Sequence, residues 1–353
     1  MPLNKVADVN VVSSELLPTP REVKTYAPLS EQAEDFIYSS RDTLNKIFSK
    51  QDKRFAVVIG PCSIHDIEAA NEYADKLKVL QKKVEDTQFL VMRVYFSKPR
   101  TTIGWKGLIN DPHLDDSFRV NEGLKIARKF LLDLALKGVP VGTEILDAIT
   151  PQYLDDLITW SAIGARTAES QSHREIASGL STPVGIKNGT DGNIGVAINA
   201  LKTMLHPHRF LGINQEGQCV VLHTKGNRHG QLILRGGGGK PNFDAENVAK
   251  TKEALKKANL DQSIIIDCSH GNSNKDYRNQ PEVLNSCIEQ RLAGDDSIVG
   301  VMLESNINEG RQDHKGGNKE KLKYGVSITD SCINWAQTEE LLLSADKKLK
   351  ALV

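Results

Sequence analysis

Residues 55–66 read FAVVIGPCSIHD, and the first half of this stretch decides the fold. Val57, Val58 and Ile59 are β-branched and follow one another without alternation, the pattern of a strand buried on both faces in a parallel sheet clad by helices. The run stops at Gly60-Pro61 and leaves Cys62 just past its end. Taken alone, a free cysteine in such a place is more often inert and buried than reactive. Whether Cys62 carries chemistry depends on how the other strands end.

Seven further apolar runs behave in the same way: FLVMRVY (89–95), PVGTE ending at Glu144, AIGAR at Arg166, PVGIK at Lys187, QLILR at Arg235, SIIIDCSH at His270 and SIVGVMLE at Glu304. Between them lie helical patterns. Tyr73, Leu77, Leu80 and Val84 predict an amphipathic helix over 68–85, and others are expected near 121–137, 244–258 and 282–292. Eight strands alternating with helices read as a (β/α)8 TIM barrel. The competing reading, an open doubly wound sheet, lacks a GxGxxG after its first strand. Residues 209–224, RFLGINQEGQCVVLHT, break the alternation and read as an inserted β-hairpin turning near Gly217, ahead of the sixth barrel strand. Residues 1–50 form an N-terminal extension. A polar arm with prolines at 18, 20 and 28 precedes a helix capped by Ser30, with Glu31 and Glu34 in its first turn. The arm is expected to pack on a neighbouring subunit, as such arms often do. Residues 51–353 then make up the barrel.

Lys+Arg and Asp+Glu both number 45, so no global charge directs the chain to nucleic acid or to a membrane. Five cysteines without short repeated spacing do not make a disulfide framework, and the N-terminus has no basic segment followed by an apolar one. Both point to a reducing cytoplasm. No apolar run approaches the roughly 20 residues that span a bilayer.

In a barrel the C-terminal strand ends converge on one mouth, so the residues there are read together. Cys62, His270 and Glu304 are metal-ligand types, and Asp330 in KYGVSITDSC is the candidate fourth ligand beyond the last strand. A thiolate, an imidazole and carboxylates suit one divalent Mn, Fe, Co or Zn and disfavour Mg. Separately, His270 reads equally well as a core histidine and Asp330 as a turn residue. Arg93, Lys98, Arg100, Arg166, Lys187 and Arg235 are cations. Any one of them alone would be a solvated surface charge, but six gathered at one mouth imply small, phosphorylated, multiply charged substrates. RGGGGK (235–240) lacks the order of a phosphate-cradling loop and reads as loop flexibility.

The words GPCSIHD, MRVYFSKPRTTIGWKGLINDP, GARTAESQSHRE, PVGIKNGTDG, DCSHGNSNKDYR, ESNINEG and KYGVSITD recur in order from about residue 50 onward. They resemble the 3-deoxy-D-arabino-heptulosonate 7-phosphate (DAHP) synthases of the short, metal-dependent class I type. The resemblance implies condensation of phosphoenolpyruvate with erythrose 4-phosphate, the first step of the shikimate route to aromatic amino acids. It assigns the metal to Cys62, His270, Glu304 and Asp330. Phosphoenolpyruvate falls to Arg93, Lys98, Glu144, Arg166, Lys187 and Arg235, and the erythrose 4-phosphate end to Lys98–Thr101, with Arg100 and Thr101 on its phosphate. Lys98 is the implied proton donor to the nascent alkoxide. Relatives of this type are inhibited by an aromatic amino acid. GINQEG (212–217) resembles the tyrosine-sensitive version, with Gly212 where phenylalanine-sensitive relatives carry serine, and Gln152, Ser181 and Phe210 would line the same pocket. The family also implies a homo-oligomer, a dimer or tetramer. Two features depart from the pattern: RGGGGKPNF is richer in glycine than the usual RGGK-type word, and the first 30 residues match poorly. A metal-dependent aldolase or sugar-acid synthase using a longer phosphosugar is the alternative enzyme, and a ligand sensor on a retired barrel the alternative outside catalysis.

Overall fold

All six residues of the first barrel strand, β1 (Phe55–Gly60), are buried, as its unalternating apolar run requires. The computed structural model describes residues 6–100, 102–314 and 319–352. β1 is followed by β2 (Gln88–Arg93), β3 (Val141–Glu144), β4 (Trp160–Ile163) and β5 (Val184–Lys187), then by β6 (Arg209–Ile213) and β7 (Cys219–His223), and then by β8 (Gly230–Leu234), β9 (Ile264–Asp267) and β10 (Ile298–Glu304). Eight of these close into a parallel barrel in the order β1-β10-β9-β8-β5-β4-β3-β2, while β6 and β7 pair only with each other. This is the (β/α)8 architecture expected from the strand count.

The two faces of each strand have different partners. Ala56, Val58, Val91, Ala162, Ile233, Ile265 and Met302 fill the barrel interior around Trp160, and Leu44, Ile47 and Phe48 from the helix Glu31–Phe48 pack against them. Val57, Ile59, Leu90 and Met92 instead join the larger core formed with the outer helices. Trp160 fits inside because its neighbours on either side are glycines. A Cβ on Gly185 would lie 2.3 Å from its Cζ2, and one on Gly142 3.1 Å from its Cε3. Several outer helices begin on side-chain caps; Asp66 accepts the Glu68 and Ala69 amides at the start of Ile67–Val84.

The N-terminal segment is tied to the barrel by buried arginine. Arg128, 0% exposed, donates to Ala27 O at 2.9 Å and Tyr153 O at 2.7 Å, and grips both Asp156 oxygens at 2.8 and 2.9 Å. Ser30 caps the helix Glu31–Phe48 through the Ala33 amide. Arg21 of the arm pairs with Glu216 at the hairpin tip. The hairpin pairs Phe210 with Leu222 and Gly212 with Val220, so Leu211 (80% exposed) and Val221 (55%) face outward. At the other terminus, Gln88 Nε2 donates to Leu342 O and Thr87 Oγ1 to Asp346, fixing the helix Trp335–Leu349. Among the described residues no helix is long and apolar enough to cross a membrane.

Candidate active site

At the C-terminal end of the barrel, Arg93, Glu144, Lys187 and Glu304 are the last residues of their strands, while Cys62 and Arg235 lie just beyond theirs. β4 and β9 end earlier than their apolar runs suggested, at Ile163 and Asp267, so Arg166 and His270 sit in loops. His270 itself has a left-handed backbone, φ 53°, three residues past the end of β9. Asp330 reaches the site from the segment after β10, which is held to the barrel by the Ser305–Ile333 bridge.

One ligand atom each from Cys62, Glu304 and Asp330 lie within 4.8 Å of one another. Cys62 is fully buried; its Sγ lies 3.6 Å from Asp330 Oδ2 and accepts the Asp330 amide at 3.4 Å. His270 Nε2 stands 4.0 Å from Glu304 Oε1, on the edge of this group. The other ring nitrogen, Nδ1, is 2.9 Å from Asp267 Oδ2, which also accepts Lys187 Nζ at 2.7 Å. Ser269 Oγ donates to Glu304 Oε2 at 2.8 Å, and Arg93 Nη2 approaches Glu304 Oε1 at 3.2 Å.

Burial, reinforced by Glu304 and Asp330, pushes the Cys62 thiol up to about 12. A divalent cation reverses this, because it deprotonates a coordinating thiol outright. Burial also opposes the charge on Lys98, but Cys62, Glu304 and Glu144 outweigh it and hold the ammonium well above the ordinary lysine range. Its Nζ lies 3.2 Å from both Cys62 O and Cys62 Sγ. Asp330 is pushed up by burial yet ends below the usual carboxylate range, because Lys98, His270 and Arg166 face it.

Arg93, Lys98, Arg100, Arg166, Lys187 and Arg235 all line one cavity of about 250 Å³, together with Glu144, His270 and Asp330. Arg166, Arg235, His270 and Asp330 also border a wider space of about 980 Å³, to which Lys275 and Arg311 add charge. Thr101 lies outside the described residues.

Three residues of this mouth were missing from the sequence reading. Asp267 accepts Lys187 Nζ and lies 2.9 Å from His270 Nδ1, and its only signal was an acid closing the run IIID. Tyr95 places its ring 4.0 Å from the Arg93 guanidinium carbon, and its buried hydroxyl has no partner among the described residues. Gly164 leaves room for Glu144, since a Cβ there would lie 2.0 Å from Glu144 Oε1.

A second cavity, of about 480 Å³, lies beneath the hairpin and is lined by Gln152, Ser181 and Phe210. Gly212 stands behind its wall: a Cβ there would meet Leu222 Cδ1 at 2.5 Å, and Leu222 lines the cavity.

Residues 28–343 match the model of the DAHP synthetase I family. A phospho-2-dehydro-3-deoxyheptonate aldolase described as Tyr-sensitive, from Escherichia coli (strain K12), is 55% identical over 335 residues, spanning 95% of this chain and 94% of its own. A tyrosine-inhibited enzyme of the same name from Schizosaccharomyces pombe is 53% identical over 322 residues, covering 91% of this chain and 87% of its own. Among solved structures, the phospho-2-dehydro-3-deoxyheptonate aldolase of Francisella tularensis superposes with a TM-score of 0.93 at 47% identity, over 97% of this chain and 99% of that one.

Proposed function

The chain belongs to the DAHP synthetase I family, and from that premise we propose that it condenses phosphoenolpyruvate with D-erythrose 4-phosphate and water to give DAHP and phosphate. The observation that carries this reading is the shared cavity, in which six cations stand with His270 and Asp330, and Asp330 belongs in turn to the Cys62, Glu304 and Asp330 group of ligand atoms. Two phosphorylated substrates need such a concentration of positive charge, and a phosphosugar aldehyde needs an electrophilic activator beside it.

The donor set fits a divalent transition metal. Cys62 Sγ with two carboxylates is a borderline-soft set, with the His270 imidazole at its edge, and the buried thiol stays protonated without a cation. When bound, the metal supplies Lewis acidity toward the aldehyde oxygen. Asp267 sets the His270 ring so that Nε2 faces the group. We assign the phosphoenolpyruvate anion to Arg93, Arg166, Lys187 and Arg235, with Glu144 at its edge, and the aldose phosphate to Arg100 and Thr101. Carbon 3 of phosphoenolpyruvate attacks the aldehyde, Lys98 gives its proton to the oxygen that becomes an alkoxide, and water adds at carbon 2 before phosphate leaves. Orientation of two anions supplies most of the rate.

Phosphate release should require phosphoenolpyruvate, erythrose 4-phosphate and a divalent metal together; turnover that survives exhaustive chelation would overturn the reading. Preference for arabinose 5-phosphate over erythrose 4-phosphate would instead identify a synthase for longer sugars.

The cavity beneath the hairpin we assign to a feedback effector, tyrosine, through Gln152, Ser181 and Phe210, with Gly212 acting behind Leu222. A homo-oligomer, dimer or tetramer, working in the cytoplasm completes the reading. It is supported by the outward Leu211 and Val221 and by the arm's Val12 and Leu16, which are 99% and 95% exposed. Light scattering checks the assembly.

A further inference from the structure

β2 ends at Arg93, and two residues further on the chain sets Tyr95 against it. The Arg93 guanidinium carbon stands 4.0 Å from the centroid of the Tyr95 ring, and Lys98 Nζ stands 5.6 Å from the same centroid. Both distances fall inside the roughly 6 Å over which a ring face attracts a cation. All three side chains border the catalytic cavity, where Tyr95 is the one aromatic residue among those described. Tyr95 is 2% exposed and belongs to the interior cluster that holds Val91 and Trp160. A ring so covered offers a substrate almost no surface, so the groups it can act on are the two cations.

The hydroxyl does not explain a tyrosine here. It is buried without a hydrogen-bond partner among the described residues, an arrangement that opposes folding rather than favouring it. The ring face is the part in use. Arg93 Nη2 approaches Glu304 Oε1 at 3.2 Å, but Glu304 also accepts Ser269 Oγ and belongs to the metal-ligand group. Lys98 Nζ has Cys62 O and Cys62 Sγ at 3.2 Å, neither of them a carboxylate. Two cations drawn to one place repel unless something negative faces them. Another carboxylate would serve, but it would occupy the charges that a substrate anion needs. An aromatic face is negative without carrying net charge, so it holds cations and leaves them free for an anion.

We propose that Tyr95 is a positioning residue for the phosphoenolpyruvate site: its π face holds the Arg93 guanidinium and the Lys98 ammonium ready for the incoming anion. The proposal rests on the reading of this cavity as the phosphoenolpyruvate site.

The test replaces the tyrosine by rings of nearly constant shape and decreasing π charge: Tyr95→Phe, then the same position carrying phenylalanine with one, two and five ring fluorines. Phosphoenolpyruvate binding to the metal-loaded enzyme is measured by calorimetry, with steady-state kinetics and melting temperature on each variant. Tyr95→Phe keeps the face and should bind phosphoenolpyruvate within about twofold of wild type. Each addition of fluorine should then weaken binding, reaching about tenfold at five, at an unchanged melting temperature. KM for phosphoenolpyruvate should rise with the dissociation constant while kcat changes less, because the lost interaction is made in the ground state and the transition state alike. Equal affinity across the fluorinated series overturns the proposal, and so does a loss that follows melting temperature. A loss in Tyr95→Phe as large as that with five fluorines also overturns it, since the hydroxyl would then be the part in use. Wild type that neither binds phosphoenolpyruvate nor turns it over would instead overturn the reading of the cavity.

Discussion

Cys62 began as a cysteine past the end of a strand and ends as a buried thiol 3.6 Å from an aspartate oxygen, with a lysine 3.2 Å from its sulfur. Burial keeps it a neutral thiol, and a divalent cation at the site would convert it to a bound thiolate. Cys62→Ala should therefore lose bound metal and more than about a hundredfold of activity while leaving thermal unfolding nearly unchanged, measured by metal analysis, phosphate release and calorimetry. Asp267→Asn is expected to lower metal affinity or activity about 10–100-fold, because it loosens His270 and Lys187 together. His65 gives a pH signature. Burial lowers its pKa from 6.5 to about 4, so the folded protein keeps it neutral where the unfolded chain binds a proton. Stability should fall as pH drops from about 6.5 toward 4, by roughly 3 kcal/mol from this group. A His65→Asn variant should show a flatter dependence of melting temperature over that window. That Cys62, His270 and Glu304 come to one mouth was legible because strand ends converge in a barrel. Asp267 was not, because its role depends on Lys187, which is distant in sequence and meets it only across the closed sheet.

At the scale of elements, the barrel strands were readable from apolar runs, but their ends were not. The run through AIGAR continues past Ile163, yet the chain leaves the sheet at Gly164, where Glu144 needs the space. Gly164→Ala should move Glu144 and lower kcat/KM for phosphoenolpyruvate by at least about tenfold, measured in steady state. The hairpin was legible as an insertion, from two short strands around a glycine. Which side of it faces the barrel was not, since both strands alternate and only packing of Phe210 and Leu222 selects the inner face. Gly212→Ser should press on Leu222 and narrow the cavity, weakening tyrosine inhibition several-fold without changing uninhibited turnover. An unchanged inhibition profile would show that Leu222 yields freely.

For the molecule as a whole, closure of eight strands brings residues from 62 to 330 to one mouth, and two of its connections serve both cavities. The link from β3 to β4 starts at Glu144 in the catalytic cavity and carries Gln152 and Asp155 in the other; the link from β4 to β5 runs from Arg166 to Ser181 in the same way. Charge balance and composition gave no hint of this, because it follows from connectivity. If binding in one cavity shifts these loops against the other, the coupling is reciprocal. Whatever factor tyrosine takes from the affinity for phosphoenolpyruvate, phosphoenolpyruvate must take from the affinity for tyrosine. The dissociation constant of tyrosine, titrated with and without phosphoenolpyruvate, should shift by that same factor. A cell rich in the substrate would then relieve its own inhibition, so the brake on this barrel responds to supply as well as to demand.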